Sequence, residues 1–154
     1  MQLEGSCQCG AVHFQLECPH PYPFMLCYCS ICRKTAGGGG YAINLGGLYQ
    51  SLQIQGEAHI DHYHARLEDD ISEAQRHFCR ECGTALWVYD SRWPDLIHPH
   101  ASAIDTELPR PPQRVHMMLG SKADWVPVQS AEQDLEFDGY PDESLAEWHE
   151  RHGL

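Results

Sequence analysis

The sequence predicts an all-β, β-rich protein folded as a single domain around its cysteines. Three observations carry that expectation. Short stretches that alternate apolar with polar side chains recur along the chain, as half-buried strands do. Glycine and proline, 13 and 10 of the 154 residues, punctuate those stretches as turns. Apart from Cys18, the cysteines gather into three knots: Cys7-Gln8-Cys9, Cys27-Tyr28-Cys29-Ser30-Ile31-Cys32 and Cys79-Arg80-Glu81-Cys82.

Taken in order, Ala11-Val12-His13-Phe14-Gln15-Leu16 reads as the first strand. The three prolines that follow Cys18 favour a loop or a sheet edge. After the second knot come Arg33, Lys34 and a run of four glycines, Gly37 to Gly40. Such a run serves either a flexible loop or a backbone that approaches a ligand closely. Residues 41–45 read as a strand that stops at Gly46-Gly47, and 48–54 and 58–65 as two more around Gln55-Gly56-Glu57. The acidic stretch 66–74 is expected as an exposed connection or a short helix. The third knot feeds a strand ending at Tyr89, and 97–104 and 115–119 complete the strand list. Between those two, Leu108-Pro109-Arg110-Pro111-Pro112 is a stiff connector. From Asp124 the tail is acidic and loop-like, with a short helix over 143–152.

Composition narrows the function classes. A chain of this length can bury a core without staples. Apolar and charged fractions of 42% and 21% suit a soluble globular protein. No apolar run approaches the roughly 20 residues a membrane-spanning helix needs. The start, Met1-Gln2-Leu3-Glu4-Gly5-Ser6, lacks the basic and apolar regions of a secretory leader, so a cytoplasmic home is expected. A net charge of −12 with ten Lys and Arg argues against nucleic acid as a partner. Arg33 and Lys34 are either solvated surface cations or a local attraction for a small anion.

Eight cysteines in a reducing compartment point to metal or thiol chemistry rather than disulfides. A C-x-x-C turn followed by glycine puts two sulfurs on one side of a tight loop, and a C-x-C pair grips one ion in the same way. If Cys7, Cys9, Cys79 and Cys82 close one four-thiolate zinc site, Cys27, Cys29 and Cys32 remain as three. Three protein ligands leave a fourth position for water or substrate, the mark of a catalytic zinc. Other partitions fit the spacing as well. The trio can also recruit a histidine, such as His59, His62 or His64, and become a second closed site, or its thiols can form a redox switch. Cys18 has no near partner and reads as a small, partly buried side chain.

Gly5-Ser6-Cys7-Gln8-Cys9-Gly10-Ala11-Val12, Cys27-Tyr28-Cys29-Ser30-Ile31-Cys32-Arg33-Lys34 and Phe78-Cys79-Arg80-Glu81-Cys82-Gly83-Thr84 together resemble the glutathione-dependent formaldehyde-activating enzyme family, also called the CENP-V/GFA domain family. The resemblance runs over about residues 3–126, and the acidic 127–154 is expected as an extension packed on or trailing from that domain. It implies an Mss4-like fold. It also implies a structural zinc on Cys7, Cys9, Cys79 and Cys82, and a catalytic zinc on Cys27, Cys29 and Cys32, which an open, anionic trio is expected to hold loosely. The implied activity is that of a carbon–sulfur lyase joining glutathione to an aldehyde such as formaldehyde. Arg33 and Lys34 are then expected to attract a glutathione carboxylate, and Gly38 and Gly39 to let the peptide lie close. The rival from another class is a non-catalytic zinc module that presents a surface to a protein partner. Reductase chemistry at a metal-free thiol of the trio is a third reading.

Overall fold

Alternation at the N-terminus builds the first pairing. In the computed structural model, which describes residues 1–154, strand β1 (Gln2–Ser6) runs antiparallel to β2 (His13–Glu17), with Leu3 opposite Leu16. Leu3, Phe14 and Leu16 point inward and are buried, while Glu4, His13 and Glu17 face solvent. Each such burial stabilises by about 1.5–3 kcal/mol. Strand β6 (Gln53–Gln55) pairs antiparallel with the other edge of β2.

A second, fully antiparallel sheet has five strands. In spatial order they are β5 (Gly47–Leu48), β10 (Leu96–Pro99), β9 (Ala85–Tyr89), β8 (Ile71–Cys79) and β7 (Ile60–Arg66). Phe14 meets Trp87 edge-to-face at 5.1 Å, joining the two sheets by an aromatic contact. These eight strands form one compact unit, made of residues Met1–Pro19 and Gly46–Leu108.

The second unit, His20–Leu45 and Pro109–Leu154, has its own four-stranded sheet. Strand β3 (Phe24–Cys27) lies between β4 (Ala42–Asn44), antiparallel to it, and β11 (Arg114–Met117), parallel to it. The short β12 (Leu135–Glu136) adds in parallel beyond β11. Alternation along β3 sorts the side chains. Leu26 and Tyr28 pack with Val126, whereas Cys27 packs with Cys32, Ala42 and Met117. Helix α1 (Ser30–Ala36) follows directly, and α2 (Leu145–Arg151) closes the chain. Neither helix is long and apolar enough to cross a membrane.

Twelve strands against two short α-helices bear out the all-β expectation. The stretch 66–74 is a correction. Glu68, Asp69 and Asp70 make only the turn, with the Leu67 amide donating to the Asp70 carbonyl at 2.8 Å. Strand β8 then starts at Ile71 and buries Ala74. The stretch 97–104 is strand only to Pro99, after which a 3-10 turn takes over.

The C-terminal helix forms where expected because Ser144 and Glu147 make a reciprocal capping box. Trp148 is buried, and its indole Nε1 donates to Gln113 Oε1 at 2.8 Å. His152 stacks on the same ring with centroids 3.8 Å apart. The acidic tail is thereby held against the bend that precedes β11.

Asp134 anchors this unit from within. Its side chain is 1% exposed and accepts from the Arg114 guanidinium at 2.9 and 2.6 Å, from the Arg114 amide at 2.8 Å and from the Ala131 amide at 2.8 Å. Burial pushes the carboxyl up, but the Ala131 amide and Arg114 outweigh it and hold the pKa at about 2. A folded-state value below the unfolded one stabilises the fold above the unfolded pKa and is lost as pH falls through the folded value. Asp134→Asn is therefore expected to cost about 2–4 kcal/mol at pH 7, since it leaves buried donors poorly matched. The gap to the parent should close between pH 4 and pH 2 in urea unfolding. A constant gap across that window would exclude the carboxylate as its cause.

Candidate metal centres

Two knuckles of the first unit bring four sulfurs together. Cys7 follows β1 and Cys79 ends β8; both are buried, while Cys9 and Cys82 reach the surface. Each knuckle folds back on itself, with Gly10 N–H donating to the Cys7 carbonyl and Gly83 N–H to the Cys79 carbonyl, at 3.0 and 2.8 Å. Gly10 and Gly83 take φ of +76° and +75° with open space around them, so backbone handedness is what calls for glycine there.

The Cys7 and Cys9 sulfurs lie 3.5 Å apart and those of Cys9 and Cys79 3.8 Å. All four sulfurs fall within 4.8 Å of one another. Sulfurs sharing one zinc through bonds of about 2.3 Å sit about 3.8 Å apart, far beyond the ~2.05 Å of a disulfide. All eight cysteines are free thiols. The donor set fits a metal ion, and its protons are already unevenly held. The Thr84 hydroxyl and backbone, with the Cys9 backbone, lower the Cys82 thiol to about 6. At Cys9 the hydrogen bond with the Ala11 backbone lowers the thiol, yet Cys7 and burial outweigh it and push the pKa up to about 12.

The trio belongs to the second unit. Cys27 ends β3, Cys29 is the N-cap of α1 and Cys32 lies in its first turn. The Cys29 sulfur accepts from the Cys32 amide at 3.3 Å, so one side chain both caps the helix and faces the other two thiols. The three sulfurs lie within 4.8 Å of one another, with no histidine or carboxylate in the group. Hydrogen bonds from Cys27 and then Cys32 lower the Cys29 thiol to about 2, and the same contacts push Cys27 up. With Cys29 held low and Cys27 held high, these thiols do not ionise alike, and a cation would release the protons they retain. Met25, Ala36, Ala42, Met117 and Met118 pack around them.

The other expected residues are placed as follows. Arg33 and Lys34 follow Cys32 in α1; Lys34 is exposed and Arg33 half-buried, its Nε enclosed without a partner. In the glycine run, a Cβ at Gly37 would strike the Tyr41 backbone and one at Gly40 would strike Val126, whereas Gly38 and Gly39 are exposed and open on all sides. The fold itself needs the outer two glycines, not the inner two. Cys18 is fully buried and donates to the Gly46 carbonyl at 2.7 Å. His59 pairs with Glu81 at 2.9 Å, and His62 and His64 face each other on β7. Sequence reasoning missed Tyr28. Its hydroxyl bonds His116 Nδ1 at 2.9 Å and anchors the backbone between Cys27 and Cys29. The signal was its place inside C-x-C, where strand alternation must turn it away from the sulfurs.

A family model described as glutathione-dependent formaldehyde-activating enzyme matches residues 2–120. The chain belongs to that family. The formaldehyde-activating family places it among enzymes, as a carbon–sulfur lyase of the S-(hydroxymethyl)glutathione synthase type. A Halomonas elongata protein, whose name marks it provisionally as a glutathione-dependent formaldehyde-activating enzyme, is 62% identical over 154 residues, covering 100% of this chain and 98% of its own. A crystal structure of a Rhodobacter sphaeroides protein superposes with a TM-score of 0.56 at 25% identity, covering 71% of this chain and 93% of the other.

Proposed function

We propose that the protein joins glutathione to formaldehyde to give S-hydroxymethylglutathione. In this reading Cys27, Cys29 and Cys32 are the ligands of a catalytic zinc, and Cys7, Cys9, Cys79 and Cys82 those of a structural one. The single observation behind it is the unequal pair of thiol groups, four sulfurs in one and three in the other, in a chain of this family. Thiolates favour zinc; four of them make the usual closed site, and three leave one position to an exogenous ligand. Zinc held by the trio would acidify an incoming thiol, so that its thiolate persists at neutral pH.

In the net reaction the sulfur–carbon bond forms as the carbonyl π bond opens, and the thiol proton ends on the carbinol oxygen. The chain's own side chains prepare for this. Met25, Ala42, Met117 and Met118 keep water from Cys27 and Cys32, and Cys29 stays half-exposed on the side a substrate would enter. Arg33, half-buried beside Cys32 in α1, brings a guanidinium charge suited to a carboxylate of the peptide. Lys34 adds an exposed charge, and Gly38 and Gly39 leave their backbone uncovered.

The test is exchange spectroscopy on labelled formaldehyde and glutathione, which measures adduct formation against the spontaneous rate. The zinc-loaded protein is expected to accelerate it. Arg33→Gln is expected to raise KM for glutathione by about tenfold, with kcat within about twofold, as loss of one charge-assisted hydrogen bond implies. No acceleration by the zinc-loaded parent would end this reading.

A further inference from the structure

Three imidazoles lie together in the first unit, and none of them belongs to either thiol group. His62 and His64 are two residues apart on β7, so their side chains share one face of the sheet. His77 stands directly opposite His62 on β8 and therefore shares that face. The ring centroids of His62 and His64 are 5.3 Å apart, and those of His62 and His77 are 5.6 Å apart. Two imidazoles bound through nitrogen to one ion, with bonds of about 2.0–2.1 Å, place their ring centres about 5 Å apart. The two pairs that share His62 come close to that value, and an ion held by all three would draw His64 and His77 in around it.

Each ring has a feature suited to ligation. His64 Nδ1 donates to the Ser72 carbonyl at 2.8 Å, which fixes the tautomer and leaves Nε2 with its lone pair free. His77 stacks on Trp87 with centroids 5.3 Å apart and planes at 27°, which holds its ring in place. Its Nδ1 is enclosed and meets no partner at good hydrogen-bond geometry, with the Gln75 carbonyl a weak acceptor for the ring. A buried nitrogen left unpaired is costly unless something completes it. His62 is exposed and its ring makes no hydrogen bond, so it can turn to close a site and an ion can enter past it. β7 is the edge strand of its sheet, so no further strand covers this corner.

We propose that His62, His64 and His77 form a third metal site, which takes a divalent transition ion of the zinc, nickel or copper class through nitrogen alone. Calcium and magnesium are excluded by the donors, since both require oxygen. The charge of −12 on the chain favours cation uptake in general. The site stands independently of the glutathione reading, because none of its residues takes part in that reaction.

The experiment uses the full, untagged protein with its cysteines first filled with zinc. Further Zn2+ is then added while the histidine ring nitrogens are followed by NMR. The rings of His62, His64 and His77 should shift together and saturate at one added ion per chain, with His13 and His152 unmoved. His62→Ala and His64→Phe should each weaken this binding by at least about tenfold, because loss of a ligand costs no less than loss of its supporting partner. The sulfur-held zinc should remain unchanged in both. The proposal is overturned if none of the three rings responds, if all the exposed histidines respond alike, or if the variants bind as the parent does.

Discussion

Cys79→Ser is expected to unfold the unit that contains it. Cys79 is fully buried at the end of β8, and its sulfur lies 3.8 Å from that of Cys9. With zinc on the quartet, binding free energy is folding free energy, of the order of 10–16 kcal/mol for structural zinc. A domain's whole stability is only about 5–15 kcal/mol. A serine hydroxyl stays protonated at neutral pH and is a poor zinc ligand, so losing even a third of the metal's contribution removes more than about 3 kcal/mol. Urea unfolding and zinc per chain provide the measurements. Cys18→Ser is the control, because serine keeps the donor to the Gly46 carbonyl. It should cost about 1–2 kcal/mol and leave zinc content intact. A Cys79→Ser protein with parental stability and metal would show that the quartet does not hold the fold.

The sequence was most legible where one local rule governed the outcome. Alternation in Ala11 to Leu16 gave β2, and Ser144 with Glu147 fixed the start of α2. The division of sulfurs into four and three was one of the partitions that ligand counting allowed, and the structure brings together those same two groups. Harder to read were features made by distant residues. β3 looked like part of a cysteine knot because its pairing with β11 is set by residues 90 positions away, as in Leu26 opposite His116. α1 is too short for periodicity to reveal; its cap is a cysteine rather than a serine or aspartate. The Arg114–Asp134 pair and the cross-strand pair His62–His77 exist only through tertiary pairing, which spacing along the chain does not disclose.

Cys29→Ser should remove activity and spare the fold, the reverse of the result at Cys79. The reason lies in the double duty of this side chain. Its sulfur caps α1 by accepting from the Cys32 amide, and serine is among the best residues for that task. The helix therefore loses nothing, whereas Cys29→Ala would cost about 1 kcal/mol by leaving the amide unpaired. What serine cannot supply is the charge. Cys29 is a readily ionised thiol, lowered to about 2 by hydrogen bonds from Cys27 and Cys32, and it alone of the three is half-exposed. Without it two thiols remain, too few to hold zinc against free glutathione. The exchange rate is expected to fall at least about 100-fold, equivalent to more than about 2.7 kcal/mol of transition-state stabilisation. Zinc should drop from two per chain to one, with urea unfolding unchanged. If Cys29→Ser unfolds as readily as Cys79→Ser, the trio is a structural site like the quartet; if it keeps parental activity, the reaction does not run through these three sulfurs.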